Sequence, residues 1–434
     1  MSDSRYAVRI LRASVQFRDW PLATPLQLST GVITAATAAE VRVEVRAGDR
    51  IATGNGAMFL SEQWAWPVSS LSRPQRAKRL RMMSQRIAER LPQLVGDEAA
   101  HPLELGMRLH DQAAAGADDD EAGASEPAPR LARLLAASPF DAAIHDAAGR
   151  LFERSAFQLY DEPSAAPSVD AWFPDGGAIA AVKRILRTAP VREFPATFVV
   201  GPGDDGIALV RLLSHWMVRR HYARVKLKLM GRDPEQDARR AAGIARAMDA
   251  GGAPRAWMCV DFNGAYPDAD SLRTFLEEWR RDHPETYADL QYLEQPTSAD
   301  SRGGEVDWRS GPPDKPVLLD EGLVGMEAFA EALERGWSGA ALKTCKGLSF
   351  MLAAAAWATP RGALLTLQDL TNPGRAAVQA AWFGAFVPTF NGLELNAAQF
   401  VPEANADWVS AYPGLLDVRD GWHRLPESAP IGLQ

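Results

Sequence analysis

Cysteine is scarce: the 434 residues include only Cys259 and Cys345. Two thiols cannot build a disulfide framework, and they suit a reducing compartment. No apolar run reaches the length that spans a bilayer. Met1–Ile10 has no long apolar core of the secretory kind, so the expectation is a cytoplasmic protein with no membrane partner. Neither a His-x-His nor a Cys-x-x-Cys pair offers a zinc site. Surplus positive charge is missing as well: the formal charge of −8 argues against nucleic acid as the main partner. What is present, 47% hydrophobic and 24% charged residues, is the composition of an ordinary globular protein. The length exceeds one ordinary core, so two domains or an elaborated barrel are expected.

Residues 6–60 read as β structure. Tyr6–Ile10 and Val41–Val45 alternate apolar with polar, and a third stretch runs from Ile51 to Met58, so a three-stranded antiparallel sheet is predicted. A basic amphipathic helix is predicted over 73–91 and an apolar-rich one over Pro139–Phe157. Between them residues 111–129 are acidic and rich in Ala, Gly and Pro. Such a stretch buries too little apolar surface to offset its ordering entropy and reads as a disordered insertion.

From about Phe194 strands and helices alternate, the pattern of a parallel α/β domain. Strands are predicted at Ala196–Val200, Arg224–Leu229, Trp257–Asp261, Leu290–Glu294, Pro316–Asp320, Gly339–Lys343, Ala363–Leu367 and Gly392–Leu395. Asp233-Pro234-Glu235 is a helix start, with an N-cap, a proline in the first turn and an acid. The fold class expected is α/β: a modified barrel of seven or eight β/α units over 191–400, with an α+β capping domain over 1–190. The tail, 401–434, is expected to pack back on the cap.

Five of these strands end on a Lys, Asp or Glu: Lys228, Asp261, Glu294, Asp320 and Lys343. In a β/α barrel the strand ends converge on one mouth, and catalytic groups come from several strands. Lys226 and Lys228 share a strand face, and lysines seldom sit inside unless paired. Asp261, Glu294 and one of Asp320 or Glu321 give three hard oxygen ligands, which suit Mg²⁺ with Mn²⁺ as a substitute. Lys343 closes the set from the far side.

The motifs Lys226-Leu227-Lys228, Asp261-Phe262-Asn263, Glu294-Gln295-Pro296, Asp320-Glu321 and Lys343-Thr344-Cys345-Lys346-Gly347, in this order, resemble the enolase superfamily. Within it they resemble the muconate-lactonizing, Lys/Lys branch of the mandelate racemase-like proteins. The resemblance implies that Asp261, Glu294 and Asp320 bind Mg²⁺, with Glu321 the less favoured ligand. It implies that Lys228 moves a proton on one face of a small-molecule carboxylate. Lys343 would serve the other face, as acid/base or as a stabilising cation, and Lys226 would depress the pKa of Lys228. The reaction implied is abstraction of the proton α to a carboxylate through an enediolate. The outcome would be racemisation, epimerisation or cycloisomerisation. The alternatives are syn-elimination as in o-succinylbenzoate synthesis, or a metal-binding relative without turnover. Homo-oligomers are common in the family. The stretch Thr366–Gly374 has no histidine and Leu393–Asn396 no Asp-x-Asp. These absences disfavour a His–Asp dyad chemistry and an ammonium-bearing dipeptide substrate.

Asn263, Met58 and Leu348 are the further candidates for substrate contact. Met58, Phe59 and Trp64–Trp66 are one candidate lid and Leu26–Gly31 another. The remaining signals have plainer readings: His145-Asp146 as a core pair, Cys345 as a packed thiol, Lys346 as a helix-start lysine. Gly54-Asn55-Gly56 and Gly201-Pro202-Gly203 read as turns, since neither has the spacing of a phosphate cradle.

Overall fold

The computed structural model describes residues 4–116, 126–251, 257–298, 306–310 and 314–434. The cap sheet consists of β1 (Arg9–Leu28), β2 (Gly31–Ala47) and β3 (Arg50–Leu60), antiparallel in that order. β1 is far longer than the Tyr6–Ile10 predicted. It carries Pro21 and Pro25, which weaken a strand reading, but it lies at the sheet edge, where a missing ladder N–H is tolerated; the register shifts between Pro21 and Leu26.

Helices Arg73–Val95 and Arg130–Leu151 cover the cap sheet. The second begins well before Pro139, which it carries inside. Gly54 and Gly56 are not a turn: they lie within β3, and a Cβ on either would overlap the backbone of this helix at Ala143, Ala147 or Pro139. They are the price of that close approach. The acidic stretch is ordered at its edges. Helix Pro102–Ala115 runs into it, and the Glu126 carboxylate accepts from Trp66 Nε1 and the Ser70 backbone N. The rest of that expected insertion, 117–125, lies outside the described residues.

After β4 (Glu193–Pro195) the barrel strands follow in turn: β5 (Thr197–Val200), β6 (Arg224–Lys228), β7 (Trp257–Asp261), β8 (Leu290–Glu294), β9 (Val317–Leu319), β10 (Gly339–Leu342) and β11 (Leu364–Leu367). They form one parallel sheet in sequence order. The predicted eighth strand appears only as a single bridge between Gln368 and Glu394. Asp233 caps its helix as predicted, its Oδ1 accepting from Glu235 N at 3.0 Å and Gln236 N at 3.1 Å.

The tail does more than return to the cap. β12 (Trp422–Arg424) pairs antiparallel with β4 on the barrel side, while Leu433 N donates to Asp146 Oδ1 at 2.8 Å in the cap. A separate apolar cluster joins cap to barrel mouth, including Leu26, Leu28, Met58, Trp64, Val199 and Phe400. Each such buried side chain contributes roughly 1.5–3 kcal/mol, so the cap is packed onto the mouth rather than hinged beside it. Among the described residues no helix is long and apolar enough to cross a membrane.

Candidate active site at the barrel mouth

Parallel pairing sets the site. Lys228 is in register with Asp261, and Asp261 with Glu294, so three charged strand ends form one layer. The chain then leaves each strand abruptly: Asn263 and Gln295 have φ of 46° and 37°, a region non-glycine residues occupy only when their surroundings force it. Gln295 is held by its own amide, whose Oε1 accepts from Asp320 N at 2.7 Å. The turn after β8 thereby positions the first residue after β9.

The structure brings together Lys226, Lys228, Lys343, Asp261, Glu294, Asp320 and Asn263. Lys228 Nζ donates to Asp261 Oδ2 at 2.8 Å and Asn263 Oδ1 at 3.0 Å. Lys226 Nζ lies 2.8 Å from Glu294 Oε2, 3.0 Å from Asp261 Oδ2 and 2.9 Å from Gln368 Oε1. Glu394 Oε1 lies 3.7 Å from it, and the two lysines meet at the same Asp261 oxygen. Lys343 Nζ lies 2.6 Å from Asp320 Oδ2 and 3.3 Å from Glu294 Oε1, beneath the Trp64 ring. Glu321 stands to one side, its Oε1 accepting from Asn263 Nδ2 at 3.0 Å.

Two candidates are not brought to the site. Met58 packs in the cluster joining cap and barrel, and its neighbour Phe59 lines the cavity instead, a one-residue alternation of β3. Leu348 heads helix Leu348–Ala358 inside the barrel core. Of the candidate lids, Leu26 and Leu28 line the cavity with Trp64, and Ser29 Oγ donates to Asn263 O at 3.4 Å.

Sequence reasoning missed several residues here. Lys346 is more than a helix-start lysine: it is wholly buried, and its Nζ donates to Asp320 O at 2.5 Å and Oδ1 at 3.0 Å. Gln368 accepts from Lys226 and donates to Glu294 Oε2 at 2.5 Å. Asp369, Glu394 and Asn396 line the same cavity. His145 and Asp146 are indeed buried in the cap, but each bonds elsewhere: His145 Nε2 to Ser349 Oγ at 2.9 Å, Asp146 to Asn55 N at 2.8 Å. Cys345 is a packed thiol, 1% exposed.

The electrostatics follow from burial and crowding. Burial raises the Asp261 and Asp320 carboxyls, but the lysines outweigh it and hold both below the usual carboxylate range. Glu294 is pushed up to about 7 by burial and by the negative charge of Asp261. Glu321 is pushed up to about 8 by burial and by Asp320. Burial lowers Lys343, yet Asp320 and Glu294 carry it above the ordinary lysine value.

Among the described residues no three Asp, Glu, His or Cys side chains converge closely enough to share a metal ion in this arrangement. Asp261, Glu294 and Asp320 are linked instead through the ammonium groups of Lys226 and Lys343. Their chemistry nonetheless fits a hard divalent cation. The donors are all oxygen, Glu321 Oε2 is buried with no partner, and a bound cation would relieve the crowding of carboxylates that helps push Glu294 and Glu321 up. Shared occupancy needs the two ammonium groups to draw back.

A family model described as Enolase C-terminal domain-like matches residues 208–434. The chain belongs to the enolase superfamily. Its solved neighbours lie in the mandelate racemase and muconate lactonizing group. A muconate lactonizing enzyme from Pseudomonas fluorescens, complexed with muconolactone, is 18% identical over 88% of this chain and 85% of that one, with a TM-score of 0.61. A dipeptide epimerase from Enterococcus faecalis, complexed with Mg and L-Leu-L-Tyr, is 14% identical over 98% and 99%, at 0.63. An enolase from Bradyrhizobium, complexed with magnesium and mandelic acid, is 18% identical over 99% and 96%, also at 0.63. At these identities the neighbours establish the enolase-superfamily fold, a β/α barrel beneath a β-rich cap. No curated protein matches this chain.

Proposed function

We propose that this protein is an Mg²⁺-dependent enzyme that removes the proton α to a carboxylate through an enediolate, with an isomerase outcome. The single observation that carries the reading is the convergence of Lys228 and Lys343 on one cluster of three carboxylates from consecutive strands. The neighbours complexed with magnesium are consistent with it.

Asp261, Glu294 and Asp320 would hold the cation, which when bound supplies Lewis-acid neutralisation of a carboxylate. Every other role falls to the chain. Lys228 Nζ, reached through Asp261 and Asn263, stands at one side and takes or returns the proton there. Lys343 Nζ stands at the other, between Asp320 and Glu294, and returns a proton or holds positive charge against the enediolate. Lys226, which bonds Glu294, Asp261 and Gln368 in this arrangement, would draw back from the ligand carboxylates as the cation enters and keep its positive charge beside them. Trp64 over Lys343 and the leucines of β1 exclude water.

Two lysines on opposite sides support racemisation, epimerisation or cycloisomerisation; syn-elimination would use the same groups with a different leaving group. The test is Mg²⁺-dependent incorporation of deuterium from D₂O at the α carbon across a library of carboxylates. Exchange that requires Mg²⁺ supports the reading. Exchange that persists undiminished in EDTA contradicts it.

A further inference from the structure

The cavity over the charged cluster has two chemically different sides. At its floor stand Lys226, Lys228 and Lys343, the only cationic side chains among the described residues that line it. All three already face carboxylates. The cap side is largely apolar: Leu22, Leu26, Leu28, Ile33 and Phe59, joined by Phe400 from the C-terminal segment, with Ser61 and Trp64 its polar exceptions. Four buried polar atoms on the same cavity have no hydrogen-bond partner: Asp369 Oδ2, Asn396 Oδ1, Ser61 Oγ and Trp64 Nε1. Asp369 is 6% exposed and Asn396 7%. Both side chains are held in place. Asp369 Oδ1 accepts from Thr371 N at 3.0 Å. Asn396 Nδ2 donates to Glu394 Oε1 at 2.9 Å, which leaves the amide oxygen unspent.

Resting on the reading of this site as one that processes a carboxylate, we infer that the substrate is a monocarboxylate. It carries an uncharged apolar distal group and one O–H or N–H donor near the reacting carbon. The apolar wall gains from burying a hydrocarbon or aromatic group. A second carboxylate against it would lose its water with no cation in reach, and the Glu394 carboxylate would repel it. A substrate donor satisfies acceptors that are costly to leave unmade. Dicarboxylic acids are thereby rejected at the distal end, whatever the reaction at the other.

The test is calorimetric titration of the full-length, Mg²⁺-loaded protein with three ligands: 3-phenyllactate, its para-carboxyphenyl analogue, and 3-phenylpropanoate. We expect 3-phenyllactate to bind at least ten-fold more tightly than either. Equal or tighter binding of the dicarboxylate, an unchanged affinity on losing the hydroxyl, or no binding by any of the three overturns the inference. Leu28→Arg, or Ile33→Arg should the first fail to fold, places a cation on the cap wall. It should raise affinity for the dicarboxylate at least ten-fold; a folded variant with no gain also overturns the inference. Deuterium exchange is read separately. A 3-phenyllactate that binds as expected but never exchanges its α proton sinks the proposed reaction and leaves the specificity inference standing.

Discussion

Lys346→Met removes the ammonium that most clearly separates a surface helix-start lysine from a structural one. Lys346 is buried, and its Nζ donates both to the backbone carbonyl of Asp320 at 2.5 Å and to its Oδ1 at 3.0 Å. Methionine fills similar volume, so packing is nearly conserved. Two groups lose a donor: a buried carbonyl, at about 1–3 kcal/mol, and a buried carboxylate that keeps only Lys343. Breaking a buried pair outright costs about 3–5 kcal/mol, and the surviving Lys343 contact places this case near the lower end, about 3 kcal/mol. The assay is chemical denaturation of the Mg²⁺-free protein, comparing midpoints at an unchanged slope. An exposed lysine would give a change within about 0.5 kcal/mol. A loss that small would refute the placement of Lys346 as a prop under Asp320.

Three further outcomes follow from the same structure. Gly56→Ala forces a Cβ into the carbonyl of Pro139 and should cost about 3 kcal/mol by overpacking. Gly48→Ala, at φ 58° with open space around it, should cost only about 1–2 kcal/mol in backbone strain; equal losses in a denaturation series would contradict the close helix–strand contact. His101 and His423 are buried and pushed down to about 4 from an ordinary value near 6.5. The unfolded chain therefore binds protons that the folded one refuses between those values. Their contribution is full above about pH 6.5 and is lost as the pH falls to about 4, up to about 3 kcal/mol for each. Asp141, pushed up to about 6 by burial, works in the opposite sense over the lower part of that window. His423→Gln should make the fall in stability on acidification shallower, and an unchanged slope would contradict the assignment. Gln368→Leu should weaken Mg²⁺ binding in calorimetry, because Glu294 and Lys226 both lose a partner; unaltered affinity would remove Gln368 from the site's support.

The barrel was legible because five of its strands are short apolar runs that stop at a charged residue, and a run that stops so abruptly can do so only at a water-facing or cavity-facing edge. Five such endings in succession also pointed to one candidate site, and the structure brings their side chains together. Interior alternation was less readable. Met58 and Phe59 differ by one position, and in a strand that one position decides cavity against core. Gly54 and Gly56 looked like turn residues because the helix that requires them lies almost a hundred positions on in the sequence. β1 was hidden by its prolines, which an edge strand tolerates and a single sequence does not label as edge. Lys346 had a usable signal: the helix after it, Leu348–Ala358, is apolar on every face, so its head had to lie inside. Gln368, Asp369 and Asn396 had none, since uncharged or isolated polar residues gain meaning only from the neighbours the fold supplies.

The central claim is that Lys228 and Lys343 serve opposite faces of one carboxylate substrate, and stereospecific exchange in D₂O tests it most directly. With the Mg²⁺-loaded protein and both enantiomers of an exchanging substrate, Lys228→Ala should abolish α-deuteration of one enantiomer and Lys343→Ala that of the other, each by at least a hundred-fold, while calorimetry still finds Mg²⁺ bound. Retention of exchange on both faces in either variant, with metal still bound, would contradict the account.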